Sequence, residues 1–195
     1  MSEATNWINE NIPDQSGKLV LVTGANSGLG YEVTRALVRK GATVVMACRN
    51  LEKGEEAAAK VRAENPKGEV RLMQLDLADL GSVKRFAEEF HSKYDHLDLL
   101  VNNAGVMATP YGKTADGFEL QFGINHLGHF ALTGLLLGLL KHTPNARIVT
   151  VSSYAHYFGR INFGDLNSQK SYQKWLAYGQ SKLANLLFAY ELQRR

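Results

Sequence analysis

Residues 18–31 read Lys-Leu-Val-Leu-Val-Thr-Gly-Ala-Asn-Ser-Gly-Leu-Gly-Tyr, an apolar run joined through three glycines to the start of a helix. No other stretch constrains the fold as strongly. Residues 19–22 are too few for a helix and consist of Leu and Val, so they read as a buried strand of a parallel sheet. Gly24, Gly28 and Gly30 then follow in the spacing G-x-x-x-G-x-G. A glycine-rich turn between strand and helix lets the backbone approach a pyrophosphate, which the free N–H groups and positive end of the helix dipole hold. The spacing differs from G-x-G-x-x-G, and a P-loop is excluded because no Gly-Lys-Ser/Thr follows. Three glycines in a turn also fit ordinary backbone punctuation, so the rest of the chain has to decide.

The remaining pattern alternates strand and helix. Residues 43–47 read as a second strand, 51–63 as a helix ended by the turn Asn65-Pro66-Lys67-Gly68, and 70–75 as a third strand. A helix over 80–90 puts Val83, Phe86, Ala87 and Phe90 on one face, 97–101 form a fourth strand, and 118–140 form a long apolar helix. A fifth strand at 148–151 and a last helix from about Trp175 complete the order. Such alternation means βαβ units, hence an α/β Rossmann-type doubly wound parallel sheet in three layers. Residues 18–195 make one dinucleotide-binding and catalytic domain, and 1–17 an arm on which Trp7, Ile8 and Ile12 would pack. Ligands in these sheets sit at the carboxyl ends of the strands. There the chain places Gly24 to Gly30, Cys48 with Arg49, Asp76, Asn102 to Gly105, and Ser152 with Ser153.

Composition narrows the partners. Basic and acidic residues, 22 and 19, are interspersed, so no basic run tracks a nucleic-acid backbone. The single cysteine, Cys48, rules out an internal disulfide and favours a reducing compartment, from which a cytoplasmic location is expected. The polar start with Glu3, Glu10 and Asp14 is unlike a signal peptide. Residues 127–140, interrupted by His129 and Thr133, are expected to be a buried helix and not a membrane span. His126 and His129 have no companion ligands at metal-site spacing, so no metal is expected.

Two places carry chemistry. About twenty residues beyond the glycine turn, where an NAD enzyme sets an acid against the ribose 2′-hydroxyl, stand Cys48 and Arg49. An arginine pairs with a 2′-phosphate through a planar fork of donors, so the sequence leans to NADP(H), with NAD(H) still possible. In Tyr178-Gly-Gln-Ser-Lys182 the tyrosine and lysine share one helix face, and a neighbouring ammonium favours a phenolate, which makes the pair an acid/base catalyst.

These residues together resemble the short-chain dehydrogenases/reductases. The likeness spans nearly the whole chain after the arm: Thr23-Gly24-Ala25-Asn26-Ser27-Gly28-Leu29-Gly30, Asp76-Leu77, Asn102-Asn103-Ala104-Gly105, Asn125, Val151-Ser152-Ser153, and Tyr178 with Lys182. Within the family the chain is most similar to the retinol-dehydrogenase-like branch, through Ser152-Ser153-Tyr154-Ala155-His156, Gly159-Arg160-Ile161 and Ser181-Lys182-Leu183-Ala184-Asn185.

The resemblance implies that Tyr178 protonates a carbonyl oxygen or deprotonates an alcohol, and that Ser153 hydrogen-bonds the same oxygen. Lys182 would favour the phenolate and hold the nicotinamide ribose, while Asn125 would anchor a water in a relay to Lys182. The cofactor would be held by Thr23, Gly24, Asn26, Ser27, Gly28, Leu29 and Gly30, by Arg49, by Asp76 and Leu77 at the adenine, by Asn103, Ala104 and Gly105, and by Tyr178 and Lys182. The implied substrate is a small lipophilic carbonyl or alcohol. Tyr154, Tyr157, Phe158, Phe163 and Tyr172 either line its mouth or pack their own loop. The helices after Phe118 and Trp175 would form a homodimer surface.

The family continues past its catalytic helix with a further strand and a segment that closes over the substrate. Against that pattern the chain is expected to be a fragment or a shortened product, lacking the last strands and the lid. The leading expectation is an NADP(H)-dependent alcohol/carbonyl oxidoreductase; the alternative is a catalytically silent dinucleotide-binding or interaction module.

Overall fold

The structure is a computed structural model that describes residues 7, 10–64 and 67–195. Five strands form one sheet in the order 3-2-1-4-5. At its centre β1 (Leu19–Thr23) has every residue buried, which is why it is apolar without alternation. It pairs in parallel with β2 (Thr43–Cys48) on one side and β4 (Leu99–Asn102) on the other; β3 (Glu69–Gln74) adds in parallel to β2, and β5 (Arg147–Thr150) completes the order. The expected boundaries move by one to three residues; β3, for instance, starts and stops one residue early, and the helix expected over 80–90 runs on to Lys93. The strand order reverses beside β1, and this is the topological switch point at which doubly wound sheets bind ligands.

The chain divides into two compact units. One takes the described residues within Met1–Leu75, Tyr94–Asn103 and Leu139–Ile148; the other takes Asp76–Lys93, Ala104–Gly138 and Val149–Arg195. In the first, α1 (Gly28–Arg39) and α2 (Leu51–Glu64) cover a core that includes Val20, Val22, Val38, Val44, Met46 and Val61. Thr34 is buried in α1 because its Oγ1 donates to the carbonyl of Gly30 at 2.8 Å, while Val33 and Leu37 pack at the core's edge. The helix ends before Gly41, whose φ of +93° breaks the helical path. Trp7 is exposed and Ile12 half-buried, so the first gives little support to a packed arm; Ile8, Asn65 and Pro66 lie outside the described residues.

The second unit contains α3 (Leu80–Lys93), the greater part of α4 (Leu120–His142), a 3-10 turn at Tyr154–Tyr157 and α5 (Lys174–Arg194). The buried residues of α3 are the predicted four, Val83, Phe86, Ala87 and Phe90. By length and composition α4 could cross a membrane, yet half of its most apolar window is buried. Leu132 and Leu136 are inside, whereas Phe130 and Leu135 are exposed. Its start is capped by Glu119, whose carboxylate accepts from the N–H groups of Gln121 and Phe122 at 2.9 and 2.7 Å. The next turn widens to a π-helix over Gly123–Leu127, a feature that hydrophobic periodicity does not reveal.

Candidate active site

In the first unit the glycine turn is locked to the sheet by the N–H of Gly24, which donates to the carbonyl of Ala47 at 2.9 Å. Gly24 and Gly28 have φ of +62° and +54°, a region that costs other residues strain. Ser27 precedes α1 in extended conformation and its side chain makes no capping bond, so the first N–H groups of the helix stay open. A Cβ added at Gly28 would meet nothing within 4 Å, whereas at Gly30 it would lie 2.4 Å from Asn103 Nδ2 and 2.6 Å from the carbonyl oxygen of Gly24. Asn103 in turn ties the strand ends together, donating from Nδ2 to the Thr23 carbonyl at 2.8 Å and from its N–H to Thr23 Oγ1 at 2.9 Å. Open space above the turn, uncapped N–H groups and a glycine forced by contact below fit a pyrophosphate.

Arg49 is exposed at the end of β2 and Leu29 is exposed in the turn. Cys48 is buried and takes hydrogen bonds from the N–H groups of Ala25 and Asn26; burial pushes its thiol up to about 11, which leaves it a packing residue.

The second unit gathers the four residues expected to be catalytic. Lys182 is buried, its Nζ lies 5.6 Å from the ring centroid of Tyr178, and it donates to the carbonyl of Val151 at 3.3 Å. Burial lowers the ammonium's pKa. Ser152 Oγ donates to the Lys182 carbonyl at 2.8 Å, so the segment just after β5, one residue before Ser153, is bound to α5. Ser153 Oγ accepts from the N–H of Ala155 at 3.2 Å as the cap of the 3-10 turn, leaving its own proton to donate.

Asn125 is fully buried in the π turn. Its Oδ1 accepts from Val106 N–H at 2.8 Å, and its Nδ2 donates to the Val106 carbonyl and to Ser181 Oγ at 2.9 and 3.0 Å. A Cβ at Gly105 would stand 3.1 Å from Asn125 Oδ1 and 3.5 Å from Lys182 Nζ. Ala104 immediately precedes that glycine. Asp76 Oδ1 accepts from Ala78 N–H at 2.9 Å, and Leu77 is buried over Gly128, where a Cβ would approach the Leu77 carbonyl oxygen to 2.6 Å.

Sequence reasoning missed the residues that hold this group. Asn185 Nδ2 shares the Val151 carbonyl with Lys182, at 3.1 Å, and its Oδ1 accepts from His126 Nδ1 at 3.2 Å. Ser181 and Asn185, flanking Lys182, thus receive Asn125 and His126, which are consecutive in the wide turn. The three-residue step from Lys182 to Asn185 along a helix was the available signal. Of the five loop aromatics, Tyr172 packs: its hydroxyl donates to the Thr109 carbonyl at 2.7 Å. Tyr154, Tyr157, Phe158 and Phe163 are exposed.

His129 Nδ1 donates to the carbonyl of Asn125 at 3.1 Å, and total burial pulls the ring's pKa down to about 4. A base whose pKa is lower folded than unfolded binds fewer protons in the folded state, so acid favours unfolding. Its contribution is complete above pH ~6.5 and is lost as pH falls to about 4, by up to about 1.4 kcal/mol per pH unit. Urea unfolding over that range is expected to show a steeper loss for the unaltered chain than for His129→Gln. Glu119, raised by burial, acts in the opposite sense in both proteins and cancels in the difference. Equal slopes would contradict this assignment.

Residues 18–195 match the family described as short chain dehydrogenase. The chain is 54% identical to retinol dehydrogenase 12 of Mus musculus and 52% identical to retinol dehydrogenase 14 of Homo sapiens, in each case over 92% of its own length and 57% of the relative's. It therefore spans little more than half of these curated relatives. Among solved structures, an uncharacterized protein from Mycobacterium Paratuberculosis superposes with a TM-score of 0.84 at 53% identity, covering 95% of this chain and 65% of that one. The Pseudomonas aeruginosa RhlG/NADP active-site complex gives 0.74 at 26% identity, covering 93% and 68%.

Proposed function

Because the chain belongs to the short chain dehydrogenase family, we propose that it serves an oxidoreductase that interconverts an alcohol and its ketone or aldehyde, with NADP(H) preferred and a lipophilic substrate. The observation that carries this reading is the buried Lys182 ammonium 5.6 Å from the Tyr178 ring, with Ser152, the neighbour of Ser153 in the chain, bonded to the Lys182 carbonyl. Tyr178 gives its phenolic proton to the carbonyl oxygen in reduction and takes it back in oxidation. Ser153 donates a hydrogen bond to that oxygen as negative charge develops. Lys182, in a desolvated site, stabilises the phenolate by its charge. The nicotinamide, when bound, supplies or accepts the hydride. Asn26 to Gly30 would hold the pyrophosphate, and Arg49 a ribose phosphate. Retinol dehydrogenase relatives support a lipophilic substrate class, and the exposed aromatics after Ser153 are suited to meet it.

NADPH is expected to bind more tightly than NADH, and Arg49→Ala to narrow the gap by about 1.5–3 kcal/mol, the worth of a charge-assisted hydrogen bond. Fluorescence titration with each cofactor checks this; equal dissociation constants in the unaltered protein would refute the preference. The same proposal includes a cytoplasmic location, supported by the lone cysteine, and a homodimer through α4 and α5. Exposed Phe130, Leu135, Leu187 and Tyr190 support the dimer, which sedimentation equilibrium tests.

A further inference from the structure

Next to the glycine turn, wholly within the first unit, lies an open cleft of about 630 Å³. One wall is Asn26, Ser27 and Tyr31; the other is the face of α2 that carries Lys53, Glu56 and Lys60. Steps of three and four residues along the helix put these three side chains on one stripe.

Lysines on a helix surface are usually just solvated, and the surroundings argue otherwise here. Two other carboxylates of α2 have cations of their own, Glu55 with Arg62 and Glu64 with Arg35. Lys53 and Lys60 line the cleft, neither has an ion-pair partner among the described residues, and Glu56 is the one carboxylate on that wall. Across from them Ser27 carries a hydroxyl that does not cap α1. The first turn of α2 also follows directly on Arg49: Asn50 Oδ1 accepts the Lys53 N–H at 2.9 Å, which fixes where the lysine leaves the helix. The cleft therefore collects the Ser27 hydroxyl from the glycine turn and two cations, Lys53 and Lys60, four and eleven residues beyond Arg49. A phosphate monoester carries close to two negative charges and three strong acceptor oxygens, more than one guanidinium satisfies.

Resting on the NADP(H) reading above, we propose that Lys53 and the Ser27 hydroxyl form a second binding group for the 2′-phosphate of the cofactor's adenosine, with Lys60 adding positive field from the far end of the cleft. Cofactor discrimination is then divided between the strand end and the helix. Arg49→Ala alone narrows the preference without abolishing it.

The test needs no turnover. Adenosine 2′,5′-bisphosphate and 5′-AMP are titrated calorimetrically into the 195-residue chain, at low and at high salt, in the unaltered form and in Lys53→Gln, Lys60→Gln and Arg49→Ala, each checked for fold by circular dichroism. Lys53→Gln is expected to weaken the bisphosphate about 5- to 20-fold and 5′-AMP less than twofold, with the loss shrinking as salt screens the charge. Lys60→Gln is expected to cost about two- to threefold, again for the bisphosphate only. If Arg49→Ala removes the selectivity and Lys53→Gln leaves it intact, or if Lys53→Gln weakens both ligands equally, the inference fails while the NADP(H) reading stands. If the unaltered chain does not bind the bisphosphate more tightly than 5′-AMP, both fall.

Discussion

Tyr178→Phe is expected to lower kcat by about 10²- to 10⁴-fold, the usual worth of a positioned proton donor, while the dissociation constant for NADPH stays nearly unchanged. In the proposed mechanism the lost hydroxyl acts on the substrate oxygen only as the transition state forms, so the loss would fall on kcat and on kcat/KM alike. The ring itself remains: Trp175 meets it edge-on at 6.5 Å, and the Lys182 ammonium stands 5.6 Å from its centre. Phe keeps both contacts. Steady-state kinetics with NADPH and a lipophilic aldehyde, alongside cofactor titration, separate the two quantities. A variant that kept more than about a tenth of kcat, a loss below ~1.4 kcal/mol, would mean that another group is the acid.

Gly30→Val is expected to destabilise the first unit strongly. Even the first carbon of a side chain would lie 2.4 Å from Asn103 Nδ2 and 2.6 Å from the backbone oxygen of Gly24. The second of these cannot swing away as a side chain could. Relief requires α1 to lift from the strand ends that Asn103 and Thr23 join, and overpacking of this kind costs about 1–3 kcal/mol or more. From a domain stable by about 5–15 kcal/mol, that is a large part. Gly28→Ala offers the contrast, since there only the positive φ is strained, at about 1–2 kcal/mol, with open space around the new carbon. Urea unfolding should rank Gly30→Val well below Gly28→Ala, and the valine variant should also lose nucleotide binding; equal stabilities would show that α1 is not held as described.

Much of this was legible in the sequence because the signals were local. A central strand buried on both faces must be a short apolar run, and residues 19–22 are one. The face of α3 follows from period 3.6 alone, and its four buried residues are those the spacing names. The glycine turn could be read as a phosphate site from its place between strand and helix, although its spacing was irregular. What the sequence did not disclose depends on contacts distant along the chain. Asn125 bonds Ser181, 56 residues away, and His126 bonds Asn185, 59 away. No period links such partners, so the sequence offered no role for His126 and none for Asn185 beyond its place in a motif. The widened turn of α4 was hidden because its residues are equally compatible with a regular helix. The loop aromatics divided, Tyr172 packed and the other four exposed, because only Tyr172 found buried acceptors and donors at Thr109 and Gln121.

The central claim is that Tyr178, Lys182 and Ser153 carry out proton transfer coupled to hydride transfer from a nicotinamide. The direct measurement uses NADPH deuterated at the transferable C4 position, a lipophilic aldehyde, and mass spectrometry of the product. One deuterium on the carbinol carbon of the alcohol, formed at least about 100-fold more slowly when Tyr178 is Phe, is the result expected. Cofactor bound with no labelled alcohol formed from any aldehyde would contradict it and leave a dinucleotide-binding module without turnover.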